Sequence, residues 1–596
     1  MYNTIKNLFL LIPLRQRGYL IGLQILIIFN GILEMLSIFS IVPFLTAITN
    51  FSYLESNQYF KIIIEYFELT SRNEIIFYLG IFTITIYSLS VVIGLLSNLL
   101  FTLFGEYNAY YYTSHFYKYY LSRNLLYHKE KASSLMIKNL SFEIQKISSG
   151  ILLPALRANS KIVSCIFILA LLIAVNPAIA ISAIIILSSI YLLIYHFIKN
   201  IAYGFGKKIT IVQQKRYRIY NESFLAIKDI LFTKTQALYT KQIDKLSKMI
   251  IQSNSFMTLI SQAPRVLVDL ILFNFLILIL MILITQDEKN FNDLITPLAL
   301  FGFASYKLVP NLQQIFLSVT TIKSNLNAYI ILKKELKDIN LNYNILDNHK
   351  IHKIYKSINL KNIYFSYPKT NFSSLSNISL KINVGNQYAI IGATGSGKTT
   401  LVDLILGLIS PTKGIVSYDN KKATYSFHKK NKLDISYVSQ NIFLTDVSIK
   451  DNILFGSINK FDEKLFKKIL VVTLINEFLP KMKKGYNTKV GEMGRRISGG
   501  QKQRIGIARA LYNNSNFIIF DEATSAIDNL TEMKIYRNIE KYFPNKTIIV
   551  ITHRVNTAKK FDQIIFLNSG KIDGIDSYEN LVKKNVNFQE LIKNYV

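Results

Sequence analysis

The stretch "QYAIIGATGSGKTT" (387–400) decides the reading of this chain. Four apolar or aromatic residues, Tyr388 to Ile391, form the end of a buried strand, and the glycine-rich turn that follows runs straight into a helix start. Residues 392–399 match G-x-x-x-x-G-K-[ST] in the strand–loop–helix setting that this motif needs. Gly392, Gly395 and Gly397 let backbone N–H groups close around phosphates, with Ala393, Thr394 and Ser396 filling the loop. Lys398 reaches the β- and γ-phosphates, and the hydroxyl of Thr399, with Thr400 behind it, stands where Mg²⁺ binds.

A second strand completes the chemistry. In "NFIIFDEA" (516–523) the apolar run Phe517–Phe520 ends in Asp521, placed for the Mg²⁺ shell, and Glu522 beside it is the natural base for an attacking water. Alone, an Asp–Glu pair after a strand reads as a helix cap; the phosphate loop upstream reverses that preference. The runs "LDISYVSQ" (433–440) and "KTIIVITH" (546–553) are further apolar strands alternating with helical segments, the pattern of a buried parallel sheet. About a hundred residues past the phosphate loop stands "ISGGQ" (497–501), a second glycine turn before a basic helix start.

Upstream of about residue 325 the texture differs. Half of all residues are hydrophobic and the mean hydropathy is +0.27. Long apolar runs fall near 19–48, 75–104, 151–176, 178–198, 266–286 and 294–318, each long enough to cross a bilayer, which takes about 20 residues. The third and fourth are separated only by "NPA" (176–178), which suits a tight hairpin. Segments 105–150 and 199–264 carry six bases against three acids and eleven against three, whereas 49–74 carries two bases against four acids. Basic and acidic loops alternate, which puts both termini in the cytoplasm. The first run is too long for a signal-peptide core and lacks a small-residue cleavage site, so it is expected to stay. The net charge of +32 comes from lysines spread along the chain with no arginine stripe, so no nucleic-acid partner is expected. The one cysteine, Cys165, excludes an intramolecular disulfide and reads as a small buried hydrophobe.

The fold class expected is an all-α six-helix transmembrane domain (1–330), a linker (331–357) and an α/β phosphate-loop cassette (358–596). The motifs of the cassette resemble the ATP-binding cassette (ABC) family over about 358–590. The resemblance implies that Tyr367 in "YFSYP" stacks on adenine, that Gln440 in "YVSQN" contacts Mg²⁺ and water, and that "SAID" (525–528) is a dimer-facing loop. It implies His553 in "VITHR" as the switch histidine at the γ-phosphate, and "TKVGE" (488–492) as an exporter segment facing the cytoplasmic loops. Ile497 and Ile527 stand where Leu is usual, and Met493 where Arg is common. It also answers why there are two glycine turns: Ser498, Gly499, Gly500 and Gln501 complete the ATP site of the opposite subunit. The implied catalytic set is Glu522, His553 and Gln440, the implied metal set Thr399, Gln440 and Asp521, the cofactors ATP and Mg²⁺, and the assembly a homodimer.

A cassette fused to six spans is similar to the type I exporters, with short transverse helices expected near 127–135 and 221–234. Few residues precede the first span, so no peptidase-like N-terminal domain is expected. Charges inside the spans hint at the cargo. Glu34 lies mid-span, Arg157 and Lys161 flank the third span and read as snorkelling, and Arg265 and Asp269, four apart, read as a helix pair. Lys307, halfway along the sixth span, suits an anionic headgroup. "ILEMLSIFSIVPFLT" (32–46), "FSYLESNQYF" (51–60), "APRVLVDLILF" (263–273) and "YKLVPNLQQI" (306–315) resemble the bacterial lipid-linked oligosaccharide flippases of the PglK type. That resemblance implies Arg265 and Lys307 as substrate contacts, an external helix at 51–69 and a location in the bacterial inner membrane. Ser90 and Gln314 stand where its pattern has charge. The alternative is an exporter of a lipid A-like lipid, a drug or a peptide.

Overall fold

The computed structural model describes residues 14–49, 51, 71–175, 177–284, 291–339, 350–370, 372–457 and 460–593. Residues 52–70, 285–290 and 340–349 lie outside them, so the expected external helix (51–69), but for its first residue, is outside the described residues. The chain divides into two compact units, one of residues 1–123 and 127–345 and the other of 124–126 and 346–596.

Among the described residues, the elements of the first unit are all helices. Its long members are Leu14–Phe39 continued by Ile41–Thr49, Arg72–Leu121, Leu153–Val175, Pro177–Leu225, Gln236–Ile284 and Phe291–Ile339. The runs 19–48, 75–104, 178–198 and 294–318 fall within these helices, and the described parts of 151–176 and 266–286 are helical as well. Among the described residues, four helices are long and apolar enough to cross a membrane: Gln16–Thr49, Arg72–Leu121, Ser133–Val175 and Gly302–Lys333. Several helices run far past the apolar stretch, since 49 or 50 residues at about 1.5 Å rise is over twice a bilayer core. The helix Arg72–Leu121 opens on a reciprocal cap, Ser71 and Glu74 each satisfying the other's backbone N–H.

Short helices interrupt the long ones, at Leu125–Glu130 and Ile227–Thr233. The first overlaps the expected 127–135 but starts two residues earlier and ends sooner, and the second lies inside the expected 221–234. After the first, the chain passes through two π-helical segments, Asn139–Glu143 and Ser148–Leu152.

Lys161 departs from the snorkelling expected of it. Its Nζ lies 3.0 Å from Oε1 of buried Glu34, which also accepts from Asn30 at 3.3 Å and from Asn311 at 3.2 Å. The reason is desolvation: a carboxylate buried in an apolar helix bundle needs a charged and hydrogen-bonded partner. Arg265 and Asp269 do form the expected pair one turn apart, at 3.5 Å, with both side chains more than half exposed.

The second unit is α/β. A six-stranded sheet has the order Lys571–Asp576, Gln563–Asn568, Gln387–Ile391, Thr547–Ile551, Phe517–Asp521, Ile435–Val438, parallel except for the first pair. Its central strands are buried along their whole length, as parallel strands covered on both faces must be. A four-stranded antiparallel sheet (Leu375–Asn383, Ser357–Phe365, Lys413–Tyr418, Lys421–Lys422) packs a second apolar cluster with Leu401, Val402 and Ile405 of the helix after the phosphate loop.

Candidate active site

Parallel strands carry their chemistry at their C-terminal ends, and four such ends meet here. Gln387–Ile391 delivers the glycine loop, Phe517–Asp521 delivers Asp521 and Glu522, Thr547–Ile551 leads to His553, and Ile435–Val438 leads to Gln440. In register, Ile551 pairs with Asp521 and Val438 with Phe520.

The loop is shaped for an anion. Gly397 has φ +100°, and a Cβ there would lie 2.7 Å from Leu375 Cδ2 and 2.8 Å from Ser374 O, so only glycine fits. Ser396 is buried and its Oγ has no hydrogen-bond partner. Lys398 opens the helix Lys398–Ile405 and folds back, donating to Gly392 O at 2.8 Å and Ala393 O at 2.9 Å. Burial lowers the pKa of that ammonium, and the nearby carboxylates of Glu522 and Asp521 work against the fall. A buried cation, an orphan hydroxyl and a helix N-terminus converge on one loop, so this donor set fits a polyphosphate. Tyr367, expected against adenine, places its hydroxyl 3.2 Å from Thr400 Oγ1 and its ring edge-on to Phe365. No hydrogen bond of Thr399's side chain to the acidic group occurs among the described residues.

Asp521 is buried, and burial beside Glu522 and Asp403 pushes its carboxyl above the usual range, with Tyr437 pulling it back. The Tyr437 hydroxyl donates to Asp521 Oδ2 at 2.9 Å. Sequence reading passed over this tyrosine, although it lies in "YVSQN" three residues before Gln440.

Glu522, Gln440 and His553 come together. Gln440 Nε2 donates to Glu522 Oε2 at 2.5 Å, and His553 Nε2 lies 2.6 Å from Glu522 Oε1. Glu522 occupies the left-handed region at φ +50°, with its N–H on Ile551 O at 3.1 Å. A non-glycine residue held there by the neighbouring strand is strained, and such strain clusters at reactive sites.

The second glycine turn is built differently. Ser498 caps the helix Gly499–Tyr512 and exchanges bonds with Gln501, Ser498 N to Oε1 at 3.0 Å and Gln501 N to Oγ at 3.3 Å. A Cβ on Gly500 would lie 3.1 Å from Ala526 O, and one on Gly499 3.3 Å from Ala526 Cβ, so the glycines allow close approach to the 525–528 loop. Gln503 braces the same loop, donating to Ser525 Oγ at 3.0 Å and accepting from Ala526 N at 2.8 Å. Arg554 ties it from the other side through Ser525 O, Ile527 O and the Glu532 carboxylate at 2.7 Å. Neither Gln503 nor Arg554 was singled out from sequence. No hydrogen bond joins Ser498–Gln501 to residues 392–400 among the described residues.

Residues 375–525 match the ABC transporter family model, a span that holds the glycine loop, Asp521, Glu522 and the second glycine turn. Over the whole chain, the structure is similar to a bacterial Atm1-family ABC exporter with ATP bound, with a TM-score of 0.77 at 19% identity, covering 97% of this chain and 98% of that one. This is the fold of an ABC exporter. Among curated relatives, the chain is 34% identical over 308 residues to the heterocyst differentiation ATP-binding protein HepA of Nostoc sp., covering 51% of this chain and 50% of HepA. It is 36% identical over 277 residues to the ATP-dependent lipid A-core flippase of Wigglesworthia glossinidia brevipalpis, 45% of this chain and 46% of that protein. It is 33% identical over 237 residues to the beta-(1-->2)glucan export protein NdvA of Bartonella bacilliformis, 40% of each chain. The chain therefore spans about half the length of the curated relatives it matches. The ABC exporter fold carries a second candidate site in its helical unit. A cavity of about 370 Å³ is lined by Ser37, Phe44, Tyr87, Ser88, Tyr306 and Lys307 among others, with the Lys307 ammonium 4.7 Å from the centre of the Tyr87 ring.

Proposed function

We propose that this chain is one half of an ATP-hydrolysing exporter that moves an anionic lipid-linked oligosaccharide across the bacterial inner membrane. The observation that carries the ATPase is the triad around Glu522: one carboxylate held between Gln440 and His553, beside Asp521 and Lys398. Lys398, the loop N–H groups and the helix start hold the phosphates. Asp521, Thr399 and Gln440 are the residues that would hold Mg²⁺, which would supply neutralisation of the phosphate charge. Glu522 takes the proton of the attacking water at one carboxylate oxygen, while Gln440 fixes the other and orients the water. His553 sets the angle of the carboxylate and supplies a donor toward the γ-phosphate. Tyr437 fixes Asp521 Oδ2 and so would orient the carboxylate for the metal it would hold.

The reading extends to a homodimer with both termini cytoplasmic, residues 1–330 forming the membrane domain and 358–596 the cassette. The Ser498–Gln501 turn then faces the partner's phosphate loop, and the short helices at 125–130 and 227–233 receive the cassettes' movement. Two states of the membrane domain are biased by nucleotide, because only one of them closes the composite sites.

Lys307 supports the cargo: a cation with an aromatic neighbour, at a cavity lined mostly by apolar and hydroxyl side chains, suits a pyrophosphate headgroup. Arg265 is the weaker of the two candidates, since Asp269 already neutralises it. A lipid A-like lipid is the second reading, favoured by the relative named as a lipid A-core flippase. Purified protein in proteoliposomes, supplied with a polyprenyl-pyrophosphate oligosaccharide, tests the first reading. ATP-dependent flipping absent in Glu522→Gln supports it, and turnover without flipping, or with flipping of lipid A only, overturns the glycan assignment.

A further inference from the structure

A cluster of polar groups in the helical unit has no part in the nucleotide or cargo sites. Glu335 sits four residues from the end of the helix Phe291–Ile339, just before the connector to the cassette, and is buried. Its two oxygens accept three donors from residues more than two hundred positions away. Tyr120 donates at 2.7 Å, Tyr127 at 3.3 Å and Lys131 at 2.5 Å. Tyr120 ends the helix Arg72–Leu121, Tyr127 lies on the short helix Leu125–Glu130, and Lys131 follows it.

The donors are themselves fixed. Lys131 also donates to the Tyr127 hydroxyl at 3.0 Å and lies 4.6 Å from its ring centre. Asn139 Nδ2 donates to the Tyr120 hydroxyl at 3.0 Å, and the Arg123 guanidinium lies over the rings of Tyr119 and Tyr127. Around them, Tyr329 and Leu332 of the last helix pack with Phe116, Tyr119 and Ile147 in one apolar cluster. A carboxylate in such a place is stable only while its donors stay, and removing one strands the charge. Its two oxygens offer about four acceptor positions, whereas a carboxamide offers one acceptor oxygen and turns donors toward Lys131.

We infer that Glu335 is a positioning residue, a latch that makes the short helix at 125–130 and the end of the sixth long helix one mechanical piece. Movement imposed on either is then delivered to the other, and through the sixth helix to Lys307 and its cavity. This rests on the ATP-driven transport reading. A contiguous, discretely bonded path of this kind is the physical form that coupling takes between separated sites.

The chain has no tryptophan, so Tyr306→Trp in the Lys307 cavity gives a single reporter in the full-length protein. In liposomes, its emission is followed on adding ATP and vanadate, with turnover measured in parallel, for the reporter alone, with Glu335→Gln, and with the swap Lys131→Glu/Glu335→Lys. The latch predicts that Glu335→Gln keeps turnover within about threefold while the emission response falls at least about fivefold, and that the swap restores the response. Undiminished response in an active Glu335→Gln protein overturns it. If Glu335→Gln also loses turnover, the swap decides: response regained supports the latch, and response still absent in an active swap overturns it. A reporter protein without any turnover would instead sink the ATPase reading.

Discussion

His553 Nε2 lies 2.6 Å from Glu522 Oε1, and the two residues leave adjacent parallel strands whose register pairs Ile551 with Asp521. The strand pairing alone brings them together, one step past the sheet edge for Glu522 and two for His553. Gln440 arrives on the other carboxylate oxygen from the strand on the far side of Asp521. A carboxylate gripped from both flanks has little freedom to turn, which suits the base proposed for it.

Glu522→Gln keeps the shape but removes the proton acceptor. Hydrolysis is expected to fall by about 10²–10⁴-fold, the usual worth of a positioned base, with nucleotide affinity unchanged or tighter. Phosphate release and equilibrium binding of a fluorescent nucleotide measure the two separately. A rate within a few-fold of wild type would remove Glu522 from the base's role.

Tyr437→Phe deletes the hydroxyl on Asp521 and nothing else in the pocket. Groups that orient a metal ligand typically matter by about 10–100-fold in metal affinity, so the Mg²⁺ concentration for half-maximal turnover should rise about tenfold. Turnover at saturating Mg²⁺ should be much less affected. Titration of Mg²⁺ at fixed ATP makes the distinction.

The helix-and-sheet plan was legible because the signals were long or mechanistically tied: apolar runs of bilayer length, a phosphate loop between strand and helix, an acidic pair after an apolar strand. What escaped were groups whose meaning arises only across the fold. Tyr437 is an ordinary strand residue until the neighbouring strand brings Asp521 to its hydroxyl. Arg554 closes "VITHR" and Gln503 lies two residues past "ISGGQ", yet their work is to clamp the 525–528 loop from two sides, which spacing does not reveal. Lys161 looked like a snorkelling end residue because its partner Glu34 lies 127 positions earlier. Glu335 is one acid in a charged helix tail until three donors converge on it.

Asp521→Asn should stabilise the isolated state while abolishing Mg²⁺-supported turnover. Burial and the adjacent Glu522 raise its carboxyl pKa, so the ionised folded form is disfavoured above that raised value. Stability is therefore gained as pH falls from the raised value toward the ordinary carboxylate value, where the unfolded group still resists protonation. The variant's thermal midpoint, without nucleotide or Mg²⁺, is expected a few degrees above wild type at neutral pH, with the gap closing under acid. Differential scanning fluorimetry across pH reads this; a destabilised variant at neutral pH would contradict it.

Lys307→Met keeps much of the side chain's length and removes the charge at the cavity beside Tyr87. If an anionic headgroup binds there, basal turnover stays near wild type while stimulation by a polyprenyl-pyrophosphate compound falls at least about tenfold. Equal stimulation of both proteins would move the headgroup site elsewhere.

The proposed composite sites make a distinctive prediction for mixed dimers. Lys398→Ala disables the phosphate loop of its own chain, and a bulky residue at Gly500 disables the turn offered to the partner, because Ala526 O stands 3.1 Å from any added Cβ. Each homodimer then has two dead sites. In a heterodimer, one site combines both defects, while the other pairs an intact loop with an intact turn. Co-reconstituting the two inactive variants should therefore restore turnover, to about half of wild type per heterodimer if each intact site works alone, and less in proportion to their interdependence. If each chain instead closed its own glycine turn over its own phosphate loop, mixing would restore nothing. Tagging the two variants differently and purifying through both tags isolates the heterodimer, so a null result there would count against two-chain sites that work alone, and not against mixing.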